Sequence, residues 1–188
     1  MTPMQIHNTT LEVVRGSVLD QDVQAVVNAA NTAMQGGGGI DGVIHRAAGR
    51  GLMDELRRVA PHGAKTGSVV VTEGHDLAQN YVFHTPGPVW HGGSHGEPEK
   101  LALCYRNCLE AADARALSSI AFCSISTGVY GYPIKQAAPL AVQTVLEYLT
   151  LHPDTRLARI VFAMYQPGEY DAFSKALSEL SPLSHSEE

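Results

Sequence analysis

A run of four glycines, residues 36–39, stands directly before a predicted helix that begins near Ile40. Glycine adopts positive φ angles readily and leaves no side chain between the backbone and a ligand. The start of the helix adds unpaired N–H groups and partial positive charge. This segment can therefore bind an anion, such as a phosphate, through its main chain. A flexible tight turn explains the same glycine run taken alone.

A second glycine-containing loop, residues 126–133, follows a predicted strand at 120–123 and precedes a helix that begins at Pro133, where proline is favoured. Two such loops can hold a diphosphate from both sides. A pair of ordinary turns, with Tyr130 and Tyr132 as packing residues, has the same pattern. Neither loop has the sequence of a P-loop or of a dinucleotide-binding turn followed by an acid. Nucleoside triphosphate hydrolysis and hydride transfer are therefore disfavoured.

The histidines and cysteines do not form a recognisable reactive or metal-binding pattern. His91 and His95 have zinc-ligand spacing for a helix, but the two glycines between them favour a loop and no third ligand follows. Cys104 and Cys108 share a predicted helical face with apolar residues, which indicates core packing. Cys123 lies in a predicted strand without a cysteine–histidine motif nearby. We therefore predict no metal site, no cofactor and no cysteine nucleophile.

The composition indicates one globular domain. The chain has 188 residues, 44% of them apolar, and a formal net charge of −6. That length supports one well-packed core, and the acidic balance makes a basic surface for nucleic acid unexpected. An odd count of three cysteines fits a reducing compartment. The first residues do not resemble a signal peptide, and no apolar run is long enough to span a bilayer. We therefore expect a cytoplasmic protein.

Short apolar runs alternate with helical patterns along the chain, which is typical of a mixed, mostly parallel sheet between two helical layers. In this α/β class, ligands bind beyond the carboxyl ends of the strands. We predict one domain over residues 1–180 and a disordered tail at 181–188. Strands are predicted at residues 11–15, 25–27, 68–72, 81–84, 120–123 and 160–164, and helices at about 40–48, 98–117, 133–149 and 170–180.

Several segments, in order and spread over nearly the whole chain, resemble the landmarks of the MacroD-type branch of the macrodomain family. They are VVNAAN at residues 26–31, the glycines at 36–39, DG at 41–42, IHRAAG at 44–49, HTPGPVW at 84–90 and SISTGVYGYP at 124–133. The resemblance implies a three-layer αβα fold that binds ADP-ribose in a cleft. It also implies removal of ADP-ribose from ester linkages, in O-acetyl-ADP-ribose or on acidic protein side chains, without a metal.

The resemblance assigns the catalytic roles to Asn31 and Asp41. Asn31 would hydrogen-bond the distal ribose, because an amide can both donate and accept. A turn asparagine after a strand is the alternative. Asp41 would position or activate a water, because a carboxylate can accept its proton. The alternative for Asp41 is simple helix-terminus electrostatics.

The resemblance further implies that main-chain groups of both loops hold the ligand, with Tyr130 over the distal ribose and Tyr165 near the adenine. Tyr165 could equally be a core or rim residue. A bulky residue at Gly38 is expected to block the cleft. The complete set of expected ligand contacts is Ser17, Val18, Asn28, Gly37, Gly38, Gly39, Ile40, Ser126, Thr127, Gly128, Val129, Tyr130 and Tyr165.

The chain departs from the family pattern at Ser17. Relatives usually read Gly-Asp-Ile-Thr where this chain has Gly-Ser-Val-Leu, and the family's aspartate accepts a hydrogen bond from the adenine amino group. A neutral hydroxyl is a weaker acceptor, so we predict adenine discrimination weaker by ~1 kcal/mol. Asp20 or Asp22 could compensate.

Three functions compete at this stage. The first is an ADP-ribosyl ester hydrolase, favoured by the pair of Asn31 and Asp41. The second is a reader module that binds ADP-ribose without turnover. The third, an RNA-associated regulator, is disfavoured by the acidic balance and by the lack of an arginine-rich stripe. The expected partners are ADP-ribose, O-acetyl-ADP-ribose and ADP-ribosylated proteins, with no membrane or nucleic acid, and the protein is expected to be a monomer.

Overall fold

The computed structural model describes residues 2–180, so the tail predicted at 181–188 lies outside the described residues. Within the described range the chain forms seven strands, five α-helices and one 3-10 turn, Val18–Asp20. The strands are β1 (Met4–Ile6), β2 (Thr9–Arg15), β3 (Ala25–Ala30), β4 (Val70–Glu73), β5 (Tyr81–Pro86), β6 (Ser119–Phe122) and β7 (Arg159–Met164). The helices are α1 (Gly39–Ala48), α2 (Arg50–Val59), α3 (Glu97–Ala114), α4 (Ile134–Leu151) and α5 (Pro167–Leu180).

All seven strands form one mixed sheet in the order β1-β2-β7-β6-β3-β5-β4. The five inner strands are parallel, whereas β1 and β4 pair antiparallel at the two edges. Inner strands such as β3 and β7 are almost wholly buried, as expected for a sheet covered on both faces. The predicted α/β class with a mixed, mostly parallel sheet is therefore confirmed.

The direction of the crossovers places the helices in two layers. From β5 through α3 and α4 the chain moves towards β7, and α3, α4 and α5 pack successively against one another. From β3 through α1, α2 and the antiparallel edge strand β4 it moves the opposite way, to the parallel strand β5. Because parallel crossovers are right-handed, α1 and α2 lie on the other face of the sheet.

Aromatic rings fill the larger core, between the sheet and α3 to α5. The ring centroids of Tyr105 and Phe122 are 5.2 Å apart, those of Phe122 and Phe162 5.8 Å, and those of Phe162 and Phe173 5.1 Å. Each such pair contributes about 0.5–1.5 kcal/mol beyond its buried area. These contacts join β6 to β7, β6 to α3 and β7 to α5. They stabilise the strands whose carboxyl ends carry the loops.

Two elements were not predicted, and both have weak sequence patterns. The edge strand β1 has only three residues. Helix α2 buries only Leu52 and Leu56, and the rest of it is largely charged. Gly49, with a φ of +83°, separates α2 from α1. No helix among residues 2–180 has the length and apolar character needed to span a membrane.

Candidate ligand-binding and catalytic site

The predicted site residues follow the carboxyl ends of the parallel strands. Asn31 comes directly after β3, residues 16–18 follow β2, and Tyr165 follows β7. The loop that begins at Cys123 follows β6. Because parallel strands end at the same edge of a sheet, four distant parts of the sequence meet there, as predicted.

Asn31 organises the first glycine loop from within. Its Nδ2 donates to the Gly36 carbonyl at 2.9 Å, and its Oδ1 accepts from the Met34 N–H at 3.1 Å. Asn31 therefore stabilises the turn after β3, which was the alternative role considered for it. One N–H hydrogen of Nδ2 and one lone pair of Oδ1 have no partner assigned by these bonds. The amide can hold the loop and still contact a ligand.

The glycines of this loop have different tasks. Gly36 and Gly39 have φ angles of +82° and +56°, which non-glycine residues rarely adopt. A Cβ added at Gly37 would lie 3.3 Å from both Asn31 Nδ2 and Asp41 Oδ2, so Gly37 separates the two predicted catalytic groups. A Cβ at Gly38 or Gly39 would meet nothing within 4 Å and would extend into open space.

Helix α1 begins at Gly39, one residue earlier than predicted, and Gly38 caps it without a side-chain hydrogen bond. Its first N–H groups are therefore available to an anion. Position 42 also requires glycine, which the sequence analysis missed. A Cβ at Gly42 would lie 2.7 Å from the Gly37 carbonyl oxygen, closer than side chains normally approach. Close packing of the loop on α1 needs glycine on both sides of the contact.

Asp41 is buried on the first turn of α1, with 5% of its surface exposed. Its Oδ1 accepts from Asn28 Nδ2 at 2.8 Å and lies 3.2 Å from His45 Nε2. Burial raises the pKa of Asp41, but the close contact with His45 and the hydrogen bond from Asn28 outweigh it, and the net pKa lies below the usual value. The carboxylate is therefore ionised at neutral pH, and its Oδ2 faces Gly37.

A chain of buried polar side chains supports Asp41 from behind. Asn28 Nδ2 also lies 3.1 Å from His84 Nδ1, and His84 Nε2 lies 2.9 Å from Thr72 Oγ1. Burial first, and the neighbouring His45 second, lower the pKa of His84 to about 3, so the ring is neutral. Since Asn28 donates to Nδ1, the ring proton belongs on Nε2 and points to Thr72.

This relay gives Asn28 a role that the sequence analysis did not foresee. The residue was expected among the ligand contacts; it is 0% exposed, its Nδ2 contacts Asp41 and His84, and its Oδ1 has no hydrogen-bond partner among the described residues. Its Nδ2 holds Asp41. His45, His84 and Thr72 were not singled out from the sequence, although the spacing of four between Asp41 and His45 on α1 gave a signal for the first of them.

The second loop is built on an unusual serine. Ser126 has a φ of +68°, is 6% exposed, and its Oγ has no hydrogen-bond partner among the described residues. A Cβ at Gly87 would lie 2.2 Å from that Oγ, so Gly87 leaves the space that the hydroxyl occupies. Buried hydroxyls normally have a hydrogen-bond partner, so the Ser126 hydroxyl is available to bind a ligand.

The rest of the second loop is held by hydrogen bonds within the loop and by one from the loop after β5. Thr127 Oγ1 lies 2.5 Å from Ser124 Oγ, and the Tyr132 N–H donates to the Ser126 carbonyl at 3.0 Å. The Tyr130 carbonyl accepts from the Trp90 N–H at 2.9 Å, which ties this loop to the one after β5. Gly128 and the tip residue Val129 are exposed, so a ligand contact by Val129 would use its backbone.

At the other end of the site, Ser17 already has a structural task. Its Oγ accepts from the Leu19 N–H at 3.1 Å and caps the 3-10 turn. The side chain of Val18 is buried, which leaves only its main chain for a ligand, whereas Ile40 is partly buried. Tyr165 is 75% exposed, which excludes the core position considered for it.

The described residues hold no group of three or more histidine, cysteine, aspartate or glutamate side chains arranged for a metal ion. His91 and His95 are close, with ring centroids 6.2 Å apart. All three cysteines are free and buried, at the positions expected for core residues.

A three-layer fold with two glycine-containing loops and a buried acid at the carboxyl edge defines a known class of protein. Residues 27–141 match the family model described as Macro domain. The chain is 46% identical over 171 residues to a protein of Cronobacter sakazakii named O-acetyl-ADP-ribose deacetylase, covering 86% of this chain and 95% of that protein.

Solved structures agree with this assignment. The Oceanobacillus iheyensis macrodomain with ADP superposes with a TM-score of 0.88 at 38% identity, covering 95% of each chain. The Trypanosoma brucei macrodomain in complex with ADP-ribose has a TM-score of 0.82 at 41% identity, covering 89% of this chain and 68% of that one. The chain belongs to the macrodomain family, as the sequence resemblance indicated.

Proposed function

We propose that the protein binds ADP-ribose and hydrolyses the esters that join it to acidic protein side chains or to acetate. The observation that carries this proposal is the state of Asp41. It is ionised, Asn28 and His45 fix one oxygen, and the other oxygen faces the glycine loop. Support also comes from the Cronobacter sakazakii relative, whose name describes an ester hydrolase of this kind.

The two loops suit the diphosphate of the ligand. The uncapped start of α1 and the glycines before it would supply N–H groups on one side. Ser126 to Tyr130 would supply main-chain groups and the unpartnered Ser126 hydroxyl on the other. The exposed ring of Tyr165 would then lie near the adenine, where stacking is worth on the order of 1 kcal/mol.

The proposed reaction on an acid-linked substrate needs one water and one base. Asp41 takes a proton from the water as the water oxygen bonds to the anomeric carbon of the distal ribose. The bond from that carbon to the acyl oxygen breaks, and the side chain leaves as a carboxylate. Asn31, beside Gly37, would hold the ribose in place for this attack.

A reader module that binds ADP-ribose without turnover is the alternative. The same loops would serve it, but it would need no ionised acid beside the ribose. The buried relay from Thr72 through His84 and Asn28 to Asp41 favours the hydrolase, because holding a charged group in the protein interior costs free energy that binding alone does not require.

The test is release of ADP-ribose from a protein mono-ADP-ribosylated on acidic residues, with an arginine-linked substrate as the control. Release from the first substrate alone is expected, because an N-glycosidic link lacks the ester leaving group. Binding without release from either would assign the protein to the readers. No heat on mixing with ADP-ribose at millimolar concentration would overturn both functions.

The buried free cysteines support a reducing, cytoplasmic site of action.

A further inference from the structure

Positive charge is concentrated on one part of this acidic chain. The net charge of the protein is −6, yet Arg46 at the end of α1 and Arg50, Arg57 and Arg58 on α2 are all exposed. We call these four arginines the basic face. The sequence analysis noted the lack of an arginine-rich stripe and did not single out these four arginines, which α1 and α2 place in the same helical layer.

The arginines of the basic face are not paired with acidic side chains within the described part of the chain. None of its four arginines forms a salt bridge with another residue among residues 2–180. Of the two acids on α2, Glu55 is engaged elsewhere, since its Oε1 lies 2.7 Å from His75 Nε2 and accepts from the Glu73 N–H at 3.1 Å. The other, Asp54, is exposed and stands four residues from both Arg50 and Arg58, but it forms no salt bridge with either of them. The guanidinium groups are therefore available to a partner.

The basic face adjoins the loop that carries the proposed catalytic groups. Met53 of α2 reaches Gly36, where an added Cβ would lie 3.2 Å from the Met53 Cε. Arg50 and Arg57 stand three residues before and four after Met53, on the same side of α2. Arg46 Nη1 lies 3.0 Å from the Cβ position at Gly42, the residue that follows Asp41.

We propose that the basic face binds an acidic polypeptide segment of the ADP-ribosylated target, next to the modified side chain. This inference rests on the proposed function, in which the bond to be cleaved lies beside Asp41 and the target chain continues beyond it. Guanidinium groups pair with carboxylates in a two-point geometry. Exposed pairs are individually weak and salt-sensitive, so the face acts on the KM of protein substrates and not on the chemical step.

The experiment compares the double variant Arg50→Glu/Arg57→Glu with a control, Lys100→Glu/Arg106→Glu, which makes the same charge change on exposed positions of α3 on the opposite face. Each protein is assayed with a glutamate-linked ADP-ribosyl peptide in an acidic sequence, with the same peptide carrying neutral flanking residues, and with O-acetyl-ADP-ribose.

We expect the KM of the double variant to rise roughly tenfold for the acidic peptide alone, with kcat unchanged. Raising the salt concentration should shrink the difference between wild type and variant. The control should match wild type on all three substrates. An unchanged KM for the acidic peptide, or an equal rise for the small ester, would overturn the inference.

A binding measurement separates this test from that of the enzyme activity. In an Asp41→Ala background, fluorescence anisotropy should show tighter binding of the acidic peptide than of the neutral one, and the Arg50→Glu/Arg57→Glu changes should remove the preference. This readout applies to a reader module as well as to a hydrolase. A single-stranded oligonucleotide that displaces the acidic peptide at a lower concentration than the free peptide does would assign the face to nucleic acid instead.

Discussion

Asp41 and Glu97 are two buried carboxylates of the same fold that differ in their hydrogen-bond partners. Glu97 is 2% exposed and Asp41 5%. Glu97 Oε2 accepts from the N–H groups of His91 and Gly93 at 2.9 and 2.8 Å, and its Oε1 accepts from the N–H of His95 at 2.7 Å. Both oxygens of Glu97 are therefore occupied by the main chain, whereas Asp41 has partners on Oδ1 only.

The difference separates an acid with a structural role from the acid that we propose to be reactive. Burial raises the pKa of Glu97, but backbone donors lower it to about 2. Its carboxylate holds the loop at residues 91–95 through these hydrogen bonds. Side-chain donors keep Asp41 ionised while leaving Oδ2 beside Gly37. Burial and a lowered pKa are common to both carboxylates and do not identify a catalytic acid; the proposal for Asp41 rests on the oxygen that has no partner and lies beside the glycine loop.

The largest expected effect follows from removing the proposed catalytic base, Asp41. Asp41→Ala should retain the affinity for ADP-ribose and lose turnover by at least about 100-fold, because general base catalysis contributes on that scale. Calorimetry gives the affinity, and release from an acid-linked substrate gives kcat.

Glu97→Gln is the matched control for that experiment, since it neutralises the other buried carboxylate. Its kcat should stay within about threefold of wild type, because its oxygens face the loop and not the ligand. Equal losses in the two variants would refute the distinction, and so would full turnover by Asp41→Ala.

The relay behind Asp41 gives a second prediction. His84→Leu removes the acceptor for Asn28 and should lower kcat on the order of tenfold. Loss of a hydrogen bond that orients a metal ligand lowers activity by about 10- to 100-fold, and we expect the lower value here. His84→Gln should restore most of it, because a neutral amide can accept from Asn28 and donate to Thr72. The affinity for ADP-ribose should be similar in both variants.

The imidazole itself offers an independent check. Nitrogen NMR of the free protein should find the His84 proton on Nε2 from pH 5 to 8, with no titration, since its pKa is about 3. A ring that titrates in that range, or one protonated on Nδ1, would show that Asn28 is oriented by something else.

The sequence was informative where patterning is strong. The inner strands are apolar on both faces, and the longer helices carry apolar residues at regular spacing, so the α/β class and the location of the site at the carboxyl edge were predictable. The edge strand β1 has three residues and α2 buries two. Such elements are stabilised mainly by tertiary contacts, which a one-chain pattern does not contain.

Side-chain directions were less predictable than positions. Asn28 and Asn31 lie three residues apart in one motif, yet Asn28 points into the interior and Asn31 ties the loop. The relay joins residues from β3, β4, β5 and α1, and no local spacing connects Thr72 with Asp41. The same applies to Glu97, whose role depends on the conformation of a loop with two positive-φ glycines, Gly92 and Gly93.

A smaller effect concerns the acid stability that Glu97 confers. Its pKa in the folded protein is about 2, against 4.5 for the free side chain. A carboxylate with a depressed folded pKa contributes stability that is complete above the unfolded value and lost as the pH falls towards the folded one. The difference in unfolding free energy between wild type and Glu97→Gln should therefore diminish between about pH 4.5 and 2. A constant difference would mean that the loop hydrogen bonds do not depend on the charge.

The smallest expected effect comes from placing a second carboxylate in the site, at Ser17. An aspartate can cap the 3-10 turn as the serine does, with one oxygen on the Leu19 N–H and the other free, which is the arrangement found at Asp41. The free oxygen would accept a hydrogen bond from an adenine amino group. Ser17→Asp should therefore raise the affinity for ADP-ribose about fivefold, corresponding to ~1 kcal/mol. The affinity for the analogue with a 6-oxopurine base should not rise, because that base has no amino group to donate. Equal gains for both ligands in calorimetry would point to a general effect of the capped turn, and no gain for either would remove Ser17 from base recognition.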